Sequence, residues 1–129
     1  MKNVLTITLL FFAVAMAKAQ TIFDASNRLK GKISNNIFYN SSNQVIGKIN
    51  GNRILNQANQ SLGKFDNDRF YDAQNKLIGK VQGDVFYDSS NRIIGKINGD
   101  RILDGSNRLI LKINGLTRQQ AILYFFYLY

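Results

Sequence analysis

The hydrophobic and polar positions of this chain follow a pattern that repeats every 16 residues. Each repeat contains an aromatic or aliphatic pair, a polar turn, a second apolar run that includes Gly-Lys, and another polar turn; residues 86–100 are the clearest copy. The positions that mark the period are Gly31, Gly47, Gly63, Gly79 and Gly95, with Leu111 in the sixth repeat. Because the spacing contains no insertion, it predicts a repeat architecture.

Each repeat has the length of one β-hairpin, with one strand of about four residues and one of about six. The apolar clusters are rich in Ile, Val, Phe, Tyr and Leu, which favour strands. Six repeats therefore predict about twelve short antiparallel strands. An open sheet would leave two bare edges, whereas closure removes them. The predicted fold is all-β: a closed antiparallel barrel formed by residues 20–115.

The first turn of each repeat predicts specific backbone geometry. One asparagine per repeat is expected to adopt the left-handed conformation that closes a three-residue loop. These residues are Asn27, Asn43, Asn59, Asn75, Asn91 and Asn107. Where the turn opens with Asp, the residue four positions later is basic, as in Asp24 and Arg28; where it opens with Asn, that residue is Gln, as in Asn40 and Gln44. We expect the members of each pair to lie opposite each other.

The alternation of side chains along a strand predicts two faces for the barrel. Residues 29, 31 and 33 and their equivalents are expected inside, and the basic residues are expected outside. Ile46 and its equivalents would then lie on the outer face between the charges. The glycines have two interpretations that the sequence leaves open: they widen the lumen, or they mark strand bends.

The sequence of residues 116–129 departs from the repeat and predicts a separate secondary-structure element. Thr117 and Gln120 have the spacing of a capping box, and the segment from Ala121 onward is apolar on every side, which is typical of a buried helix. A helix over 118–129 would be about 18 Å long, close to the length of about 20 Å of a six-residue strand. We predict that this hydrophobic helix fills the barrel, with an extended strand as the alternative because Tyr and Phe also favour strands.

Residues 1–19 have the features of a secretory signal peptide. Lys2 precedes an apolar run, and Ala17-Lys18-Ala19 fits the small-x-small cleavage rule. The alternative is an uncleaved anchor. The protein is predicted to be exported to the periplasm or the extracellular space, and the absence of Cys excludes a lipoprotein anchor.

The composition argues against catalysis and against a bound cofactor. The chain has no His and no Cys, which excludes a Ser-His-Asp triad and thiolate or imidazole metal ligands. The turn at 88–91 supplies only one carboxylate, few for calcium. We therefore predict that the protein is not an enzyme and has neither metal nor cofactor.

The charge predicts an acidic partner. Residues 20–129 contain 15 Lys and Arg against 8 Asp, a net charge of +7. Basic residues beside outward aliphatic residues suit anionic lipid or an apolar ligand. The candidate surface residues are Arg28, Lys32, Lys48, Lys64, Lys80, Arg92, Lys96, Arg108 and Lys112. The competing interpretation is a solvated basic surface that keeps the protein soluble.

The sequence also bears on three other kinds of interaction: with nucleic acid, with an outer membrane and with glycans or a protein. Export disfavours nucleic acid, and an outer-membrane barrel would need strands of about 9–11 residues. Tyr39, Tyr71 and Tyr87 recur at one position of the repeat, which suggests either stacking on glycans, in a module that binds glycans or a protein, or a cross-strand ladder. The oligomeric state stays open.

The units of the form Asp-x-x-Asn-Arg-x-Ile-Gly-Lys-Ile, as at residues 88–97, together with the apolar tail, resemble the β-flower family over residues 20–129. The resemblance implies a small exported bacterial protein of symmetric hairpins, similar to tubby and LURP-one barrels around a central hydrophobic helix. It implies no activity, and the tubby analogy suggests membrane association. Asn27 and its equivalents stand where many such motifs have Gly, and Leu111 departs from the Gly-Lys pattern.

Overall fold

The structure, a computed structural model, describes residues 19–129. The predicted signal peptide lies outside the described residues, except for Ala19. The strands are β1 (Thr21–Asp24), β2 (Leu29–Ser34), β3 (Ile37–Asn40), β4 (Val45–Asn50), β5 (Arg53–Leu55), β6 (Ser61–Asp66), β7 (Arg69–Asp72), β8 (Leu77–Gln82), β9 (Val85–Asp88), β10 (Ile93–Asn98), β11 (Arg101–Asp104) and β12 (Leu109–Asn114). One helix, α1 (Arg118–Tyr127), follows the strands.

The twelve strands form a closed antiparallel barrel in which each strand pairs with its neighbours in the chain. The barrel closes where β1 pairs with β12, with Ile22 opposite Ile113. The predicted fold class is therefore confirmed. Closure leaves no strand of this sheet with an unpaired edge, which is how repeated hairpins avoid edge-to-edge association.

The two ends of the barrel differ in their connections. The loop end carries the six three-residue loops, which are 25–27, 41–43, 57–59, 73–75, 89–91 and 105–107. The turn end carries the five two-residue turns, which are 35–36, 51–52, 67–68, 83–84 and 99–100. At the loop end, all six asparagines named above have positive φ, between 62° and 65°. At the turn end, the first turn residue has positive φ in every turn, and it is Gly in three of them.

The loops are held by the residue pairs that vary together in the sequence. The Asp24 carboxylate accepts the backbone N–H groups of Ser26 and Arg28 at 2.8 and 2.9 Å, and the Arg28 Nε lies 3.2 Å from the second carboxylate oxygen. In the Asn loops, the Asn40 amide donates to Gln44 Oε1 at 2.9 Å instead. The pairs therefore lie opposite each other, as the covariation predicted.

A β-bulge corrects the assignment of the two faces. Phe38 pairs with Gly47, but the next residue pairs with Val45, so Ile46 is left without a partner. Equivalent register shifts occur in every repeat. Because the extra residue inverts the alternation on its N-terminal side, Leu29 and its equivalents do not line the lumen. The prediction that they do was wrong.

The exposures follow from this inversion. Leu29, Leu77 and Ile93 are 44%, 37% and 56% exposed. The bulge residues that were expected on the outer face instead pack against the core; they are Ile46, Leu62, Ile78, Ile94 and Ile110. Period-two reasoning holds only from the glycine onward, where Ile33, Phe65, Val81, Ile97 and Ile113 are buried.

Helix α1 occupies the lumen. Thr117 caps it as predicted: its hydroxyl accepts the Gln120 N–H at 3.1 Å, and the Gln120 side chain accepts the Thr117 N–H at 2.9 Å. Ala121, Ile122, Leu123 and Tyr124 are buried in the same hydrophobic cluster as the inward residues of the strands. The predicted hydrophobic helix inside the barrel is thus confirmed, and the extended alternative is not adopted.

Four of the glycines, Gly47, Gly63, Gly79 and Gly95, leave room for the tail inside the barrel, as the first of the two interpretations predicts. A Cβ at Gly63 would lie 2.6 Å from the Tyr127 ring and would also collide with the Tyr71 carbonyl of the neighbouring strand. Such distances leave no room for a side chain. At the sixth position of the ring, the Leu111 side chain is itself fully buried.

Four consecutive residues at the end of the chain each contact the glycine of a different repeat. The pairs are Phe125 with Gly95, Phe126 with Gly79, Tyr127 with Gly63, and Leu128 with Gly47. The tail therefore meets four neighbouring repeats in reverse order.

Candidate binding surface

The outer face of the barrel carries a basic belt. We define the basic belt as Lys32, Lys48, Lys64, Lys80, Lys96, Lys112, Arg53, Arg69 and Arg101. Each lysine follows the inward glycine or Leu111, so it projects to the opposite face of its strand. The six lysines were predicted from the Gly-Lys period. The three arginines were missed, although each opens a short strand in the sequence.

Lysines of the belt pack against aromatic side chains of the next strand. The ammonium groups of Lys32, Lys64 and Lys80 lie 5.9, 5.6 and 5.7 Å from the ring centres of Tyr39, Tyr71 and Tyr87. These distances are in the range of cation–π contacts. In the other repeats, the residue opposite the lysine is Phe23, Leu55 or Leu103. The tyrosines thus contribute to cross-strand packing, with a lysine over one ring face.

Like charges face each other within the belt. Arg53 lies directly opposite Lys64 in the strand register, and the same holds for Arg69 with Lys80 and for Arg101 with Lys112. Like charges directly opposite each other destabilise a sheet. Within residues 19–129, the ion pairs are made by Arg28, Arg92, Arg108 and Arg118, none of which belongs to the belt. An anion bound from outside would relieve this repulsion.

The charges are segregated along the barrel axis. The basic belt has nine basic residues and no acidic one. The loop end has five basic and four acidic residues: Arg28, Lys30, Lys76, Arg92 and Arg108 against Asp24, Asp72, Asp88 and Asp104. The aspartates beside the turns are Asp66, Asp68, Asp84 and Asp100, and four arginines lie at the same end: Arg118 and the belt residues Arg53, Arg69 and Arg101. The charges at the turn end are therefore balanced, and most of the net positive charge comes from the six belt lysines.

The predicted surface residues Arg28, Arg92 and Arg108 are placed differently from the lysines. They lie at the loop end, where each guanidinium pairs with the Asp of its own loop and remains about 80% exposed. Hydrogen bonds from backbone N–H groups, above all from that arginine's own N–H, lower the pKa of each of these carboxyls, and the nearby guanidinium lowers it further. These aspartates are therefore ionised at neutral pH.

The loop end also presents an apolar surface. The exposed large hydrophobic residues of the described chain are Leu29, Leu77, Ile93 and Tyr129. All but Tyr129 begin a long strand beside a three-residue loop, and Tyr129 follows the helix, with the Lys30 ammonium 5.5 Å from its ring centre. The last residues of the helix and the residue after it, which lead to Tyr129, are half-buried and pack against the core; they are Phe125, Phe126, Tyr127 and Leu128. We call these eight residues the apolar end surface. Period-two reasoning could not find it because of the bulge.

Two cavities, of about 150 and 230 Å³, lie beside Arg118 at the turn end and open to solvent. Inward-facing residues such as Val81 and Ile113 line them, so they lie at the mouth of the barrel, between the strands and the start of the chain segment that fills it. The Arg118 guanidinium lies 2.9 Å from Asp84 Oδ1. A third, of about 350 Å³, lies on the belt between Lys64, Tyr71 and Asn75.

Among residues 19–129, no helix is long and apolar enough to cross a membrane. The same part of the chain contains no group of three or more carboxylate, His or Cys side chains that could hold a metal ion.

Comparisons with known proteins give one match. Residues 19–129 match a family described as "5-fold beta-flower protein". No curated protein and no solved structure matches the chain. The family description names five-fold symmetry, whereas this barrel contains six hairpins, of which five carry the inward glycine.

Proposed function

The chain belongs to the 5-fold β-flower protein family, and we propose that it is an exported, non-enzymatic barrel that binds the surface of an anionic membrane. The family description names an architecture and not a reaction. Export is inferred from the signal-peptide pattern of residues 1–19. The proposal concerns what the outside of the barrel contacts.

The observation that carries the proposal is the basic belt. It places nine cations around the barrel, and three arginines face lysines across the strands. This arrangement lowers the stability of the fold, because like charges directly opposite each other on neighbouring strands repel. A basic segment near a membrane gains about 1 kcal/mol per Lys or Arg from anionic lipid. These charges therefore destabilise the folded protein in solution and stabilise its complex with an anionic membrane.

Exposed apolar side chains favour lipid over other polyanions. Leu29 and Ile93 are 44% and 56% exposed on the same barrel. A surface that combines basic residues with exposed aliphatic ones suits the boundary between head groups and acyl chains. A soluble polyanion would engage only the charges.

An apolar ligand inside the barrel receives less support. Helix α1 fills the lumen with Leu123 and Tyr124, which are 0% and 2% exposed. A lipid-sized molecule would have to displace this helix. The outer surface can bind lipid without any movement of the helix.

The test is vesicle flotation with residues 20–129. We expect the protein to float with phosphatidylglycerol-rich vesicles and not with phosphatidylcholine vesicles. Replacing Lys64, Lys80 and Lys112 together by Gln should weaken binding by up to about 3 kcal/mol, or roughly 100-fold, from about 1 kcal/mol per charge. The matched control replaces the same three residues by Arg, which keeps the charge and should keep the binding.

Thermal melting separates this effect from misfolding. The Gln variant should melt no lower than the parent protein, because it removes like-charge pairs. Equal flotation with both kinds of vesicle, or none with either, would refute the proposal.

A glycan or protein partner is the second candidate, and the groove beside Tyr71 favours it. This groove has a tyrosine ring and polar side chains in its wall. A glycan array with residues 20–129 tests it directly. Binding that is lost in Tyr71→Ala but kept in Tyr39→Ala would locate the ligand in this groove.

A further inference from the structure

We propose that the loop end of the barrel is the face that enters the lipid head-group region, while the turn end points away from the membrane. This inference rests on the proposed membrane binding and adds the contact face and the orientation. The partner is an anionic bilayer. Three features favour this orientation: the apolar end surface, the direction of the lysine side chains and the charge balance of the opposite end.

The first step is the distribution of exposed apolar side chains. The four exposed large hydrophobic residues of the described chain all belong to the apolar end surface. Phe125 and Phe126 are half-buried, with ring centres 5.3 Å apart, and the Phe125 ring stacks on that of Tyr129 with centres 6.0 Å apart. Interfacial proteins bury such a face about 5–10 Å into the boundary between head groups and acyl chains. A cluster at one end is therefore suited to shallow insertion.

The second step is the direction of the lysine side chains. The Lys48 ammonium lies 2.9 Å from Asn59 Oδ1, and the Lys112 ammonium contacts Asn27 Oδ1. Both asparagines belong to three-residue loops, so these lysines lean from the belt toward the loop end. Their charges would meet lipid phosphates once the apolar end surface has entered.

The loop carboxylates oppose this approach only weakly. Asp88 accepts the backbone N–H groups of Ser90 and Arg92 at 2.8 and 3.0 Å, and its second oxygen lies 2.9 Å from the Arg92 Nε. The negative charge is thus matched within the loop. The Arg92 side chain stays 79% exposed, which leaves its outer face available to a phosphate.

The third step is the opposite end. The four aspartates of the turn end are balanced by four arginines, with Arg118 paired to Asp84 and Arg69 directly opposite Asp66. This end of the described chain thus offers an anionic membrane neither a net positive charge nor an exposed large hydrophobic side chain. The loop end, which has exposed apolar side chains and receives the leaning lysines, is the better contact face.

The test uses introduced tryptophans, because the chain contains no Trp. Ile93 and Asn98 are the first and last residues of β10, and both are exposed. They are separated by five residue steps, or about 17 Å. We would make Ile93→Trp and Asn98→Trp and record fluorescence with phosphatidylglycerol vesicles whose acyl chains carry bromine. Ile93→Trp should shift to shorter wavelength and lose at least half of its emission, whereas Asn98→Trp should change little.

A matched pair of charge variants provides a second readout. Ile93→Asp and Asn98→Asp each add one negative charge to the same strand. We expect Ile93→Asp to reduce vesicle partitioning at least tenfold and Asn98→Asp to change it less than twofold. Both side chains are exposed, so both variants should fold, which circular dichroism would check.

The outcomes distinguish the two proposals. Flotation together with equal quenching at both positions, stronger quenching at position 98, or no quenching at either overturns the orientation and leaves membrane binding standing. Absence of flotation overturns both. Quenching confined to position 93, with the matching loss in Ile93→Asp, supports the loop end as the contact face.

Discussion

At the scale of single residues, one position in each repeat determines how the barrel and its helix fit together. At Gly63 and Gly79, an added Cβ would meet both a strand carbonyl and an aromatic ring of the tail. At Gly31, it would meet only the backbone of the neighbouring strand. Leu111 has the side chain that the other repeats lack, and this side chain is fully buried in the core. The tail therefore fills this position in four repeats, and the sixth repeat fills it with its own side chain.

Gly63→Ala and Gly31→Ala form a matched pair that separates these contacts. Both variants should lower the free energy of unfolding, because each forces the backbone of a neighbouring strand to shift. Gly63→Ala must also displace Tyr127, so it should cost about 1–3 kcal/mol more, the usual penalty for overpacking. Urea denaturation of both proteins measures the difference. If the two variants are equally stable, the tyrosine ring does not limit this position.

Tyr127 is a second residue whose role appears only in the structure. Its O–H lies 2.8 Å from the carbonyl oxygens of Lys64 and Tyr71, and its oxygen accepts the Tyr71 N–H at 3.2 Å. Burial, the largest cause, raises the pKa of Tyr127 to about 12 despite the opposing hydrogen bond from Tyr71. In the sequence, it was one of several aromatic residues in an apolar tail, and nothing marked it as a hydrogen-bonding group.

This raised pKa predicts alkaline sensitivity. Between about pH 10, the ordinary pKa of a tyrosine, and pH 12, the unfolded chain loses the Tyr127 proton while the folded protein keeps it. Stability is thus fully present below pH 10 and falls as the pH rises through this window. The melting temperature should drop more steeply in the parent protein than in Tyr127→Phe. The variant itself should lose about 1–2 kcal/mol at pH 7, because a hydrogen bond to the Tyr71 N–H disappears. Parallel pH profiles would contradict the assignment.

At the scale of elements, the tail supplies the side chains at the centre of the hydrophobic core, and the strands supply those around it. Ile122, Leu123 and Tyr124 are buried against strands from several repeats, and the Phe70 and Phe126 rings stack with centres 4.4 Å apart. Burying each large apolar side chain contributes about 1.5–3 kcal/mol. Summed over the tail, this approaches the total stability of a small domain, about 5–15 kcal/mol.

Truncation after Gly115 should therefore abolish cooperative folding. We expect the truncated chain to show no sigmoidal thermal transition by circular dichroism, whereas residues 20–129 melt cooperatively. Adding a peptide of residues 116–129 should restore the transition, because the glycine positions would again be occupied. A truncated chain that melts like the parent would show that the barrel does not need its helix.

The elements also show why part of the structure could not be predicted. The 16-residue period and the capping residues Thr117 and Gln120 depend on local sequence, so they predicted the hairpins and the helix. The bulge at Ile46 depends on backbone pairing between strands, and no residue type in the sequence marks it. A single unpaired residue per repeat was enough to exchange the predicted positions of Ile93, which is exposed, and Ile94, which packs against the core.

At the scale of the whole molecule, near-sixfold repetition is combined with a polarity that no repeat has alone. The basic belt was partly predictable, because its lysines follow the glycines. The segregation of the aspartates to the two ends became visible only when the strand directions were known. The apolar end surface likewise needs closure, since closure brings Leu29, Leu77 and Ile93 to the same end. The proposed contact face is therefore a property of the assembled ring.

Four tail residues contact four glycines in reverse order along the chain, and these contacts depend on how many hairpins the ring contains. Near-identical repeats would otherwise let a ring close with one hairpin too few or too many, because every neighbouring pair is equally compatible. The circumference of a barrel grows with its strand number, so a ring of another size would grip the same helix too tightly or leave gaps around it. We therefore expect a chain with a duplicated 16-residue unit to be less stable than the parent protein, because the same helix would leave gaps in the wider ring.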